Sequence, residues 1–499
     1  MTLAAPPTDA GTDTFASLDP ADGRSLARYP VHGPQEVRAA VDRARGAALW
    51  WQAQGWEGRR RHLRAGKGVI ARGLHELADL VHEENGKPHG DAVLEITLAV
   101  EHIEWAARHA GGALGPRRVA TGLMAANQAA TVEYQPLGVV GVIGPWNYPV
   151  FTPMGSLAYA LAAGNAVVFK PSEHTPGVGV WLEQAWRAGV PERPDVLQVV
   201  TGLGGTGAAL TRAGVDKIAF TGSAATGRTV MAACAEGLVP VLMECGGKDA
   251  MIVDDDADVA AAADAALWGG MSNAGQTCIG IERVYATDKV YDAFVAELTS
   301  RAAAVRPGSD PQASYGPITM PGQVDVIRRH IADALDRGGR ALTGGTVDGA
   351  LVAPTVLVDV PEDGSAVPEE TFGPTLTVAR VRDAEEALQR TNATSYGLAG
   401  AVFSGNRTRG MDLARRMRSG MTSINSVIAF ASVPGLPFGG VGDSGFGRIH
   451  GEDGLKEFTR AKAITRQRYA LPTPLLSFSR SPRLTDHLAR VVALVHGRG

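Results

Sequence analysis

The sequence predicts an α/β protein, and three observations carry that prediction. A long helical opening precedes a series of short apolar strands. Each strand stops in a loop rich in glycine, proline or serine, and helical spacing resumes after most of those loops. Glycine, at 62 of 499 residues, fits many tight loops in a chain without a collagen period. The length allows two or three domains.

The apolar fraction of 45% and the charged fraction of 20% are those of an ordinary globular protein. A formal net charge of −4 gives no footprint for nucleic acid, and no apolar run approaches the ~20 residues of a membrane span. Met1 to Asp13 are rich in Ala, Pro and Thr and lack a basic segment with an apolar core. They read as a loose tail and not as a signal peptide. Cysteine is sparse, with only Cys234, Cys245 and Cys278, which argues against a disulfide framework and for a reduced, cytoplasmic setting.

Pro20 to Arg24 reads as a turn between two extended pieces. Helical spacing runs from Gln35 to Leu80 through Val37, Val41, Ala44, Leu63, Ile70 and Leu77, and again from about Val93 to Ala110 through Ile96, Val100 and Ile103. The polar face of the second stretch, with Glu95, Glu101 and Glu104, reads as solvated surface, so the opening is helical cover without chemistry. Thr131 to Tyr134 reads as a strand.

Val139 to Ile143 is a buried-strand run, broken by Gly144 to Pro149. A strand ending in such a loop is where α/β proteins place ligand groups. Asn147, between Trp146 and Tyr148, reads either as an amide donor beside aromatic walls or as a turn asparagine. The strand Ala166 to Phe169 runs into Lys170-Pro171-Ser172-Glu173. Lys170 there can reach a ribose or phosphate and Glu173 can accept from ribose hydroxyls, with an ordinary surface lysine as the plain alternative. The run from Ser172 to Thr175 starts a helix carrying Trp181, Leu182 and Trp186.

After the strand Val196 to Val200, Gly202, Gly204 and Gly207 match the dinucleotide fingerprint. The acidic residue expected about 20 positions later is missing, so this run reads as a turn that lets a helix pack close to the sheet. The strand Lys217 to Phe220 leads to a better cradle in Thr221 to Gly227. Gly222 and Ser223 stand there at a helix N-terminus, which favours an anion.

The apolar run Pro240 to Met243 ends in Glu244-Cys245-Gly246-Gly247-Lys248. Burial would raise the pKa of Glu244 toward that of a general base; alternatively its carboxylate pairs with Lys248 or a backbone amide. Cys245 reads as packing. Cys278 closes the small and amide run Ser272 to Thr277, ahead of the β-rich Glu282 to Ala286. Alone it reads as a small buried hydrophobe. As a nucleophile it needs a base and a charge-stabilising donor from elsewhere in the chain.

Taken together and in order, Pro145-Trp146-Asn147, Lys170-Pro171-Ser172-Glu173, Phe220-Thr221-Gly222-Ser223, Glu244-Cys245-Gly246-Gly247-Lys248 and Gly275-Gln276-Thr277-Cys278 resemble the NAD(P)-dependent aldehyde dehydrogenase superfamily. The likeness continues in Glu369 to Pro374, Asn392 to Leu398, Pro437 to Gly440 and Ser444 to Arg448, and covers most of residues 15–465. The resemblance implies that Cys278 attacks the aldehyde carbon, that Asn147 and the Cys278 N–H form the oxyanion hole, and that Glu244 activates the hydrolytic water. It also implies Lys170 and Glu173 at the adenosine ribose, with Trp146, Ser172 and Cys245 in the same cofactor site. Gly222, Ser223 and Gly227 fall at the pyrophosphate, Glu370 at the nicotinamide ribose and Phe372 near its ring.

The implied fold has a Rossmann-like cofactor domain over 1–117 and 138–245, a catalytic α/β domain over 246–440, and oligomerising strands near 118–137 and 457–470. A homodimer or homotetramer follows. The cofactor is NAD, with NADP as the alternative, because Glu173 would bind free ribose hydroxyls and repel a 2′-phosphate. Members that pass the acyl group to coenzyme A typically lack the glutamate at Glu244, so the product is a free acid. A CoA-acylating reductase and a non-catalytic binding protein are the readings from other classes.

For the substrate, the stretch Ser272 to Arg283 looks like actinobacterial succinate-semialdehyde dehydrogenases. Yet Gly155 and Ser272 stand where arginines would grip the distal carboxylate, and Arg283 is expected to point along its strand. The absent bulk at Gly155 is expected to open the wall for a larger, apolar or aromatic aldehyde. Ile449 stands where many relatives carry a glutamate near Glu244. Beyond Leu471, the residues Leu484, Leu488, Val491, Val492 and Val495 fall at helical spacing beside Arg480, Arg483, Arg490 and Arg498. This C-terminal extension, 471–499, reads as an amphipathic basic helix that packs on the catalytic domain or a partner subunit, or contacts a membrane surface.

Overall fold

The computed structural model describes residues 13–471 and 476–497. All but the last residue of the expected N-terminal tail lies outside them, as does Arg498. The chain divides into two compact units. One runs through Ala113 and from Pro136 to Thr459; the other holds Leu114–Gln135 and the chain from Arg460 onward.

The larger unit opens with a hairpin, Thr14–Leu18 against Ser25–Pro30, around the expected turn. Helices Pro34–Ala53, Gly55–Arg72, Leu74–Asn85 and His89–Leu114 follow. The apolar stripe of the first, Val37, Val41 and Ala44, packs with Val139, Val168 and Ile218 of the sheet beneath.

Five parallel strands form the body of a six-stranded sheet. Their order across it is Val241–Cys245, Lys217–Gly222, Val139–Ile143, Ala166–Lys170 and Leu197–Val199. Helices cover both faces, so these strands are largely apolar and do not alternate. Chain order reverses between Val139–Ile143 and Lys217–Gly222. That switch point opens a crevice at the carboxyl ends of the two strands. A short strand from beyond residue 440, Gly445–Phe446, returns to the edge and pairs antiparallel with Met243 and Glu244. The sheet is therefore not built from residues before 246 alone.

The second sheet has seven strands in the order Arg340–Thr343, Thr355–Val358, Thr375–Val381, Ile281–Thr287, Asp249–Val253, Gly400–Phe403 and Ser423–Ile424. All pairs are parallel except the one at the Arg340–Thr343 edge. Its core joins Met251, Val253, Val284 and Val378 to Phe294 and Ile327 of the covering helices.

Gly202 closes the turn expected of it. Its φ is +146°, and a Cβ there would lie 2.0 Å from Thr206 Oγ1, which only glycine accommodates. The helix Gly204–Thr211 follows at once.

In the smaller unit, Gln128–Pro136 is the central strand of a three-stranded sheet, between Arg117–Val119 and Thr459–Gln467. The expected C-terminal helix is present as Pro482–His496, and none of its residues is buried. Val492 and Val495 of its apolar stripe are exposed. No helix among the described residues is long and apolar enough to cross a membrane.

Candidate active site

The carboxyl ends of four strands of the six-stranded sheet border one cleft of about 910 Å³, within the range of small-ligand sites. Asn147, Glu244 and Cys278 all line it. So do Trp146, Lys170, Ser172, Glu173, Gly222, Ser223, Cys245 and Phe372. Phe372 meets Trp146 edge to face, with ring centroids 5.6 Å apart. Lys170 is buried; its Nζ donates to Pro171 O at 3.0 Å and lies 3.5 Å from Glu173 Oε2. Burial lowers the Lys170 pKa. Ser223 caps the helix Ala224–Glu236 by accepting the Thr226 N–H, so the start of that helix faces the cleft as an anion-binding end.

Two of the expected cofactor residues stand apart from the lining. Gly227 packs the helix against the sheet: a Cβ there would come 3.1 Å from Cys245 Sγ. The Glu370 carboxylate accepts the Gly247 N–H at 3.0 Å and lies against Gly246, where a Cβ would sit 2.1 Å from it. Gly204 and Gly207, by contrast, do line the cleft, and space remains around both, the nearest atom to a Cβ at Gly207 being 3.7 Å away. The fingerprint glycines therefore contribute to the groove wall as well as to the turn. Their open Cβ positions, the helix start and the two aromatic rings fit a dinucleotide.

The Cys278 loop is held in a conformation that side chains rarely adopt. Asn273, Ala274 and Gly275 have φ values of +52°, +56° and +70° in succession. Contacts on all sides maintain it. Asn273 Nδ2 donates to Asn147 O at 3.0 Å, and Asn147 Nδ2 donates to Gln276 O at 2.9 Å. Gln276 Oε1 accepts the Thr319 N–H at 2.8 Å, and Tyr148 OH and Thr277 Oγ1 are 2.9 Å apart. Asn147 thus ties its loop to the thiol's loop with one N–H, and its second amide N–H has no partner among the described residues.

Two buried ion pairs fasten these loops, and neither was legible as such. The Glu95 face, expected to be solvated, is buried at Glu95 itself. Its carboxylate pairs with Lys87 and accepts the N–H groups of Val150 and Phe151 at 2.8 and 3.1 Å. Lys87 also donates to Asn147 O at 2.9 Å and lies over the Tyr148 ring. Spacing held the signal, because Glu95 falls at i+3 from Ala92 and i−4 from Ala99, both fully buried. Lys248, offered as a partner for Glu244, instead pairs with Glu282. Glu282 in turn accepts the N–H groups of Thr371 and Phe372 at 2.8 and 2.9 Å.

Glu244 is left buried, with Oε1 lacking any partner. Gly439, at φ +150°, makes room for it, since a Cβ there would lie 2.8 Å from that oxygen. Burial raises the Glu244 pKa well above the carboxylate range, the Arg448 charge only partly opposing it. Burial, with Glu282 next in effect, lifts Glu370 to about 8. The Cys278 thiol is also pushed up, by burial first and then by Glu370, Glu244 and Asp249. Without a cation beside it, Cys278 rests as the thiol.

A second, narrower cavity reaches Cys278 from the other side, and Thr152, Phe438 and Cys278 line both. Its walls include Leu94, Leu98, Tyr148, Phe151, Trp268, Ile279 and Ile428. Ser272 also lines it, with its hydroxyl buried and unpartnered. Gly155 does not open this wall as expected: a Cβ there would come 2.6 Å from His450 Nε2 and 2.8 Å from Ile449 Cδ1. The space that the glycine leaves is filled by a buried histidine. Arg283 lines neither cavity and is spent on backbone, donating to Lys248 O at 2.8 Å and to Thr391 O at 3.3 Å.

The buried Glu244 gives a test by pH. Its native pKa lies above its unfolded one, so the native state holds more protons and loses stability as pH rises through that window. Glu244→Gln removes this loss. Its melting temperature, compared with that of the parent, should gain progressively as pH rises above the ordinary carboxylate range; a constant difference refutes the buried, unpaired assignment.

Comparison with known proteins agrees with this geometry. Residues 8–464 match the family model described as the aldehyde dehydrogenase family. The 4,4′-diapolycopene aldehyde oxidase of Methylomonas sp is 37% identical over 462 residues, 92% of this chain and 87% of that protein. The glutarate-semialdehyde dehydrogenase of Pseudomonas putida is 35% identical, over 90% of this chain and 94% of its own. The crystal structure of PnpE in complex with nicotinamide adenine dinucleotide superposes with a TM-score of 0.88 at 33% identity, covering 93% of this chain and 96% of that one. With the family model matched over most of its length, and relatives above 30% identity covered nearly end to end, the chain belongs to the aldehyde dehydrogenase family.

Proposed function

We propose that the protein oxidises apolar aldehydes to free carboxylic acids, with NAD as hydride acceptor and Cys278 as nucleophile. The observation that carries this reading is the position of Cys278 at the meeting point of a dinucleotide-sized cleft and an apolar tunnel. Trp146 and Phe372 would flank the nicotinamide end, while Lys170 and Glu173 would hold the ribose. When bound, the oxidised nicotinamide supplies a positive charge and a hydride acceptor.

Cys278 gives up its proton to solvent and its thiolate sulfur forms a bond to the aldehyde carbon, giving a thiohemiacetal anion. The free amide N–H of Asn147 and the backbone N–H of Cys278 stabilise the oxygen's developing charge, a contribution of about 3 kcal/mol for one such donor. Loss of hydride leaves a thioester on Cys278. Glu244 then takes a proton from water as the hydroxyl attacks; the C–S bond breaks, and acid and thiol are released. The retained carboxylate at 244 favours hydrolysis over acyl transfer to coenzyme A.

Tunnel chemistry supports the choice of substrate. Lys87, the cation on its wall, is already committed to Glu95. The far carboxylate of a semialdehyde, the substrate class in the name of the Pseudomonas relative, would enter an apolar wall with no free positive charge. The Methylomonas relative is named for a 4,4′-diapolycopene aldehyde, and this reading takes the same direction. We further read the three-stranded sheet of the smaller unit as the oligomerising element of a dimer or tetramer.

A spectrophotometric screen of NAD and NADP reduction across aliphatic, aromatic and carboxylate-bearing aldehydes tests the assignment. Medium-chain or aromatic aldehydes should give the highest kcat/KM, and Cys278→Ser should abolish turnover. Retained activity in that variant refutes the mechanism. Glu244→Gln should give one rapid equivalent of reduced cofactor and then stall, with the acyl group on the enzyme detectable by mass spectrometry. Glu173→Gln should raise kcat/KM for NADP relative to NAD by roughly tenfold, by removing a like charge near the 2′-phosphate; no change would remove Glu173 from the ribose site.

A further inference from the structure

Three charged side chains line the tunnel on the substrate side of Cys278: Lys87, Glu95 and Asp91. Lys87 and Glu95 cancel one another in a buried pair, and their remaining hydrogen-bonding capacity is spent on the backbone of Asn147, Val150 and Phe151. Asp91 is different. It stands half-buried in the first turn of the helix His89–Leu114, and its carboxylate has no hydrogen-bond or ion-pair partner among the described residues. The rest of the wall near it is Leu94, Leu98, Phe151 and Trp268. Burial raises the Asp91 pKa and the Lys87 charge opposes that rise; when Asp91 is ionised, the three charges leave a net negative charge facing an apolar bore, where a field is weakly screened.

We propose that Asp91 is a specificity-determining residue that excludes aldehydes carrying an anionic tail. This rests on the tunnel being the aldehyde's path to Cys278. An aldehyde with its carbonyl carbon at Cys278 extends its tail along the wall that holds Asp91. A neutral hydrocarbon tail meets Leu94, Leu98 and Phe151 and loses nothing to the charge. A carboxylate tail meets a like charge, with Lys87 already neutralised, and is rejected by repulsion as well as by desolvation. The acidic group in the first helical turn also suits the helix dipole, but that role makes no distinction between substrates. The two roles can therefore be told apart.

The experiment measures kcat/KM of the full chain for pentanal and for succinic semialdehyde, in the parent, Asp91→Asn, Asp91→Glu and Asp91→Lys. Asp91→Asn should raise the ratio of semialdehyde to pentanal by roughly tenfold and leave pentanal within about twofold of the parent. Asp91→Lys should raise the ratio further, and Asp91→Glu should keep the parent's preference. An unchanged ratio in both Asn and Lys variants, with pentanal activity intact, overturns the filter. Equal losses for both aldehydes overturn it too, by assigning Asp91 to helix stability alone. A parent inactive on every aldehyde instead overturns the oxidation reading, an outcome distinct from either.

Discussion

Burying a charge is tolerable only when its partner and its remaining hydrogen-bonding groups are buried with it, and the site of this protein is built on that constraint twice. Lys87 with Glu95 fixes the loop from Asn147 to Phe151; Lys248 with Glu282 fixes Thr371 and Phe372. Each pair spends its spare donors and acceptors on backbone groups of a loop that the sheets alone would leave loose. Removing one member would strand the other without a partner, at a cost of about 3–5 kcal/mol. The walls of the cleft and of the narrower cavity thus share their anchors with the core.

Against these satisfied pairs, the unsatisfied groups stand out. Glu244 Oε1 and Ser272 Oγ are buried on the cleft and the tunnel without partners. A buried polar atom left unpaired costs stability, and such atoms are expected where a substrate or water is to be held. The two ion pairs that hold the site's loops are thus satisfied, while Glu244 and Ser272 beside Cys278 are left open.

Much of this was legible from residues in a row. Apolar runs ending in glycine, proline or serine marked the strands, and Asn147, Lys170, Ser223, Glu244 and Cys278 mark strand ends or loops because the chain must break there. What escaped was pairing across distance. Glu95 read as surface because a single helix shows its face but not what lies opposite, although its spacing from Ala92 and Ala99 carried the hint. Gly155 read as an open wall because absent bulk in a sequence says nothing of what fills the gap, here His450 and Ile449. Lys248 and Glu282 lie 34 positions apart, and only the parallel register of their strands brings them together.

The surroundings of Cys278 have a consequence for the cell's chemistry. Peroxides and other electrophiles attack sulfur in its anionic form, and here burial disfavours that form. An idle molecule therefore presents oxidants with a protonated, sluggish target.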